Sequence, residues 1–337
     1  LSSEEMNIFS SQRIFESFCK TCHDTVALKS SILVNYVTRS ALQKCQLDHN
    51  SWPHFISAIQ TEPGKLNCPN CETPTDDPVL TYSSQAKFIF IEFSPELMDL
   101  INLCENMHVG SCEYKLKGMV RCYNGHFTCA VLTQGNWTYI DDLCVGVKEF
   151  CSLATLKRNF AKGWFFVIYE SMSMFNIEAD PMAYSSSMNS NNMTEEVQLG
   201  DCEINPLISK RGHFMNSILS VPNVYSCAVD TFLEVSSHLF LPYLSTLTVR
   251  NEFTELLFNT CKRYIESQGN DRMLIEIRKP IWVYLQQHCP SFLARDSNAC
   301  FSQIFEERTF GELSSEEMNI FSSQRIFESF CKTCHDT

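Results

Sequence analysis

The sequence predicts an α+β protein assembled from two unlike halves. Three observations predict it. Residues up to 170 carry short, β-rich apolar runs, whereas 217–312 carries apolar residues at helical spacing. Between them, 171–216 turns rich in Ser, Asn and Met and loses periodicity, which reads as a flexible linker. With 337 residues, 44% hydrophobic and 19% charged, the chain is globular in composition and long enough to bury a large core. A net charge of −13 without a Lys/Arg run disfavours nucleic acid or an anionic membrane as the main partner. No apolar run approaches the ~18 residues of a membrane span, and no signal peptide is expected.

Taken in order, Ile8, Ile14, Phe15 and Phe18 form an amphipathic stretch ahead of Cys19-Lys-Thr-Cys22. The run AKFIFIEFSPEL (86–97) has a β-rich centre halted by Pro, as a buried strand would be. HFTCAVLTQGNWTYIDD reads as a hairpin and GWFFVIYE (163–170) as a closing strand. AVDTFLEVSSHLFLPYL and NEFTELLFNTCKRYIESQ are helical in spacing. The chain thus divides into 1–170, strand-rich and helix-poor, the linker 171–216, and 217–337, which ends by repeating residues 1–25 at 313–337 without a change. Old structural repeats drift, so perfect identity marks one 312-residue period with an overlap.

The 18 cysteines include two C-x-x-C pairs, Cys19/Cys22 and Cys68/Cys71, with 45 residues between them. Four thiolates suit tetrahedral zinc. Thioredoxin-like redox chemistry is the competing reading of one such pair, but two pairs favour a metal. Cys331 and Cys334 repeat the first knuckle as alternates to Cys19 and Cys22, giving six candidates for four places. Cysteines spread through a long chain, with two C-x-x-C pairs among them, point to metal ligands in a reducing, intracellular setting, cytoplasm or nucleus.

His126 opens one strand of the hairpin and Asp141 closes the next. Folding about 133–135 brings the two together across the ladder, and a carboxylate there fixes the tautomer of an imidazole general base. Asp142 falls on the opposite face. Cys227 enters an amphipathic helix, whose N-terminus favours the thiolate. Asn223, four residues upstream, offers a side-chain amide to a developing oxyanion.

Together these segments resemble the ubiquitin-specific protease family of papain-like cysteine peptidases. Asn223-Val-Tyr-Ser-Cys227-Ala-Val-Asp230 is similar to the family's Cys box. Gly125-His126-Phe127 with Trp137-Thr-Tyr-Ile-Asp141-Asp142 is similar to its His box. The divergent branch with the SUMO-specific member looks closest, because Asp230 stands where most members carry Asn. The family's Asn lies five residues before its Cys, and an aromatic residue follows that Cys, where this chain has Ala228. The resemblance implies a helical thumb, a β-rich palm and zinc-bearing fingers, with Cys227, His126 and Asp141 as the triad and Asn223 at the oxyanion. It implies structural zinc, ubiquitin or a ubiquitin-like modifier such as SUMO as partner, and isopeptide hydrolysis as activity. The boxes stand in permuted order, which joining 217–337 onto 26–170 repairs. The alternative is a catalytically inactive pseudo-peptidase that grips ubiquitin or SUMO; a third reading is a plain zinc-stabilised interaction module.

Overall fold

The computed structural model describes residues 11–172, apart from 24, 33, 62–65, 85, 124–125 and 142–147, together with 227–247, 250–267 and 271–288. Of the stretch 171–216 read as a linker, Ser171 ends a strand and 173–216 lies outside the described residues, as does the second copy of the repeated block.

In chain order the elements are β1 (Ser11–Phe18), β2 (Thr25–Ile32), β3 (Val34–Val37), α1 (Arg39–Lys44), α2 (Trp52–Thr61), β4 (Val79–Ser84) and β5 (Phe88–Phe93). There follow β6 (Asn106–Val109), β7 (Cys112–Tyr123), β8 (His126–Thr133), β9 (Asn136–Ile140), β10 (Lys148–Phe150), α3 (Leu153–Asn159) and β11 (Trp164–Ser171). The helical part is α4 (Cys227–Val235), a π turn at Ser236–Phe240, α5 (Leu241–Leu244), α6 (Glu252–Glu266) and α7 (Asp271–His288). Mixed helix and sheet is the α+β class expected.

The large sheet has the order β10-β9-β8-β7-β11-β5-β3, with β6 beside β7. Every pairing in it is antiparallel except β3 with β5. FIFIEF is apolar almost throughout because both faces of its strand are covered. Phe88, Phe90, Cys129, Val131, Phe166 and Ile168 face the helical part, packing with Phe232, Leu233, Leu239 and Phe240. The alternate residues Ile89, Ile91, Phe93, Ala130, Val167 and Tyr169 pack on the other face with Trp52, Phe55 and Ile56 of α2. Full burial of a Phe or Leu side chain contributes about 1.5–3 kcal/mol. The two halves therefore share one sheet as their common wall. At Gly118 of β7 the fit is tight, since a Cβ would meet Leu239 Cδ1 at 2.7 Å.

The first half holds more helix than its composition indicated. Two of its three helices have a start signal of their own: Thr38 Oγ1 accepts from the Ala41 N–H at 3.1 Å, and Ser152 Oγ accepts from the Thr155 N–H at 3.2 Å. Their runs of six, ten and seven residues are too short to show a clear 3.6 period. The stretch AVDTFLEVSSHLFLPYL is not one regular helix. Ser236 Oγ donates to the Phe232 carbonyl at 2.7 Å and Ser237 Oγ to Leu233 at 2.8 Å, and the π turn sits at these serines. Hydroxyls bonded back onto the preceding turn disturb the regular ladder.

A separate three-stranded sheet, in the order β2-β1-β4, carries the cysteine knuckles. The amphipathic stretch before Cys19 is the middle strand of this sheet, with Phe15, Ser17 and Cys19 buried at period two.

Candidate active site and metal centre

The hairpin β8–β9 turns at Gln134 and Gly135, both at positive φ (50° and 89°), the backbone of a tight two-residue connection. Its register pairs Thr133 with Asn136 and Cys129 with Ile140. Continued by one residue, it sets Asp141 opposite Thr128, so Asp141 meets His126 diagonally and not straight across the ladder. The register is displaced by two residues from a direct pairing of 126 with 141, so period two still keeps both groups on one face. His126 Nε2 lies 2.9 Å from Asp141 Oδ1, with the two side chains 23% and 16% exposed. A carboxylate accepting from Nε2 assigns the ring proton there and makes Nδ1 the acceptor nitrogen. Behind the pair, the Tyr139 hydroxyl donates to Thr128 Oγ1 at 2.9 Å.

Helix α4 packs on β8, joining Ala228, Val229, Phe232 and Leu233 to the core that contains Cys129 and Val131. Its first residue is Cys227. The Cys227 side chain and all of Asn223 lie outside the described residues, as do Gly125, Asp142, Cys331 and Cys334. Cys129 is the described thiol on β8 itself, but burial, aided by the Glu234 and Asp141 charges, pushes its pKa well up. Burial also raises Cys261. Neither supplies a thiolate at neutral pH.

The four knuckle cysteines converge. The Sγ atoms of Cys19, Cys22, Cys68 and Cys71 all lie within 4.8 Å of one another. Cys19 and Cys71 are 3.5 Å apart and Cys22 and Cys68 3.8 Å apart. Ligands at the Zn–S distance of about 2.3 Å on a tetrahedron stand roughly 3.8 Å apart, so the donor set fits zinc. Each knuckle closes on itself, the His23 N–H donating to the Cys19 carbonyl and the Glu72 N–H to the Cys68 carbonyl, both at 2.8 Å. The Cys22 N–H and the Thr73 hydroxyl hold the Cys19 thiol down to about 6. Thr73, 2.9 Å from Cys71 Sγ, lowers that thiol too, while hydrogen bonding to Cys71 and burial raise Cys22. Cys19, Cys22, Cys68 and Cys71 are not joined in disulfides.

Sequence reasoning met Asp230 only as the end of the Cys box and did not single out Glu234. Both are 0% exposed. Arg278 Nη1 lies 2.8 Å from each Asp230 oxygen, and the Tyr264 hydroxyl lies 3.2 and 3.3 Å from the two Glu234 oxygens. Their four-residue spacing was visible; their partners, 48 and 30 residues further along the chain, were not.

No protein-family model matches the chain, and no curated protein matches it. Among solved structures it is similar to the SAGA DUB module of Ubp8, Sgf11, Sus1 and Sgf73, at 12% identity and a TM-score of 0.33. It is similar also to that module bound to monoubiquitin (13%, 0.34) and to ubiquitin aldehyde (12%, 0.32). Each likeness covers 49% of this chain, which spans 41–42% of the chain it matches.

Proposed function

We propose that the protein is a thiol isopeptidase that removes ubiquitin or a ubiquitin-like modifier such as SUMO from other proteins. The observation that carries this reading is His126 held at 2.9 Å by Asp141, on the strand that packs against the helix beginning at Cys227. The resemblance of the Cys and His boxes supplies the class of substrate. Residues 1–170 serve as fingers and palm, 171–216 as a linker and 217–337 as the helical thumb, in permuted order. The setting is intracellular.

In this mechanism His126 Nδ1 takes the proton of Cys227 Sγ, and the thiolate attacks the isopeptide carbonyl carbon. Asp141 steadies the imidazolium, while Asn223 and backbone N–H groups take the oxyanion. As the C–N bond breaks, His126 returns the proton to the leaving lysine amine and a thioester remains. Water, losing a proton to His126, attacks the thioester carbon; the C–S bond breaks, releasing the modifier's carboxylate and restoring the thiol. Cys19, Cys22, Cys68 and Cys71 would hold zinc, which would brace the three-stranded sheet and take no part in the hydrolysis.

Hydrolysis of fluorogenic ubiquitin and SUMO substrates, run in parallel, tests this. Release from at least one, abolished by Cys227→Ala, is expected. Binding of either modifier without release by a folded, zinc-loaded protein would show a pseudo-peptidase instead.

A further inference from the structure

Helix α4 carries two carboxylates in places where apolar residues would cost less. Asp230, three residues after Cys227, is 0% exposed and met by Arg278, itself 7% exposed. One turn on, Glu234 is 0% exposed, reached by the Tyr264 hydroxyl and by His238 Nε2 at 3.7 Å. Replacing a buried ion pair with well-packed apolar residues is often neutral or stabilising, so such pairs are weak contributors to stability. Their distinctive property is direction. An apolar helix face tolerates a small rotation or slide, whereas an ion pair at 2.8 Å does not.

Here the two ties are spread along the helix. Arg278 belongs to α7 and anchors the first turn, and Tyr264 belongs to α6 and anchors the second. Two anchors from two different helices fix both the rotation of α4 and its position along its own axis. After them the regular ladder gives way to the π turn at Ser236–Phe240, so the segment that must hold register is short.

We infer that Asp230–Arg278 and Glu234–Tyr264 are positioning contacts that set the register of α4 and so deliver Cys227 to His126. This rests on the reading of Cys227 as nucleophile. A displacement of about 1 Å at a reacting group costs on the order of a hundredfold in rate.

The test is steady-state hydrolysis by Asp230→Leu/Arg278→Met, with melting temperature and zinc content followed alongside. The expected result is a melting temperature equal to or above that of the parent, KM within about twofold and kcat down ten- to a hundredfold. Tyr264→Phe keeps the ring packed and removes only the hydroxyl; it is expected to lower kcat about three- to tenfold at unchanged KM. Parental kcat in the folded apolar pair and in Tyr264→Phe overturns the inference; if the apolar pair fails to fold, parental kcat in Tyr264→Phe alone overturns it. A parent protein that hydrolyses neither substrate overturns the peptidase reading, and this one with it, whereas an active parent with unaffected variants overturns this one only.

Discussion

Replacing Asp141 by Asn keeps the size of the side chain and removes its charge. At 2.9 Å, opposite unit charges attract by roughly 1.4 kcal/mol at the dielectric of water and about 5.7 kcal/mol at an effective value of 20. With the two side chains 23% and 16% exposed, the pair sits between those limits. Hydrogen bonds to charged groups, at about 1.5–3 kcal/mol, fall in the same interval. A loss near 3 kcal/mol corresponds to about a hundredfold in rate. Asn also presents an amide that can donate to the ring and so select the wrong tautomer, which deepens the loss. The assay is kcat/KM on the fluorogenic substrate at neutral pH, with melting temperature as control. A fall of about a hundredfold or more with the fold intact is expected. A folded Asp141→Asn variant at the parental rate would refute the assignment of Asp141 as the group that orients His126.

Three further outcomes follow from other parts of the molecule. The knuckles should hold one zinc per chain by elemental mass spectrometry; chelation, or Cys68→Ser, should remove amide-exchange protection from β1, β2 and β4 before β8 and β9, and simultaneous loss across both sheets would contradict a local bracing role. Gly118→Ala should cost about 1–3 kcal/mol in denaturant unfolding, because its Cβ would stand 2.7 Å from Leu239 Cδ1, and it should cost clearly less in a Leu239→Ala background; equal costs in both would deny the contact. Burial raises the pKa of Tyr114, Tyr139, Tyr169 and Tyr243, so their native forms keep protons that the unfolded chain gives up above pH 10. Stability present below that pH should therefore fall as pH rises, by up to about 1.4 kcal/mol per unit for each Tyr, and Tyr114→Phe should flatten the slope.

What was legible in the sequence was local. FIFIEF, WFFVIYE and the hairpin from His126 to Ile140 announce themselves because period-two alternation or an unbroken apolar run survives in a short window. The knuckles were legible because each pair is local, although bringing them together takes β1 and β4 as adjacent strands. The hairpin register was displaced because the turn is Gln134–Gly135 alone, a difference set by two positive φ angles. Helices α1, α2 and α3 escaped because few residues carry each period. The buried acids of α4 escaped for a different reason: Asp230 and Glu234 acquire their meaning only from Arg278 and Tyr264, which tertiary packing brings in from α7 and α6. Burial of a charge is a property of the partner as much as of the residue.

In the mechanism proposed above, Cys227 is the nucleophile served by His126 and Asp141. The most direct measurement is tandem mass spectrometry of the zinc-loaded protein after reaction with ubiquitin and SUMO probes bearing a C-terminal electrophile. A single adduct, mapped to Cys227, is expected with at least one of the two modifiers, together with its loss in His126→Ala. A folded protein that forms no adduct with either probe, or one modified at another cysteine, would contradict it.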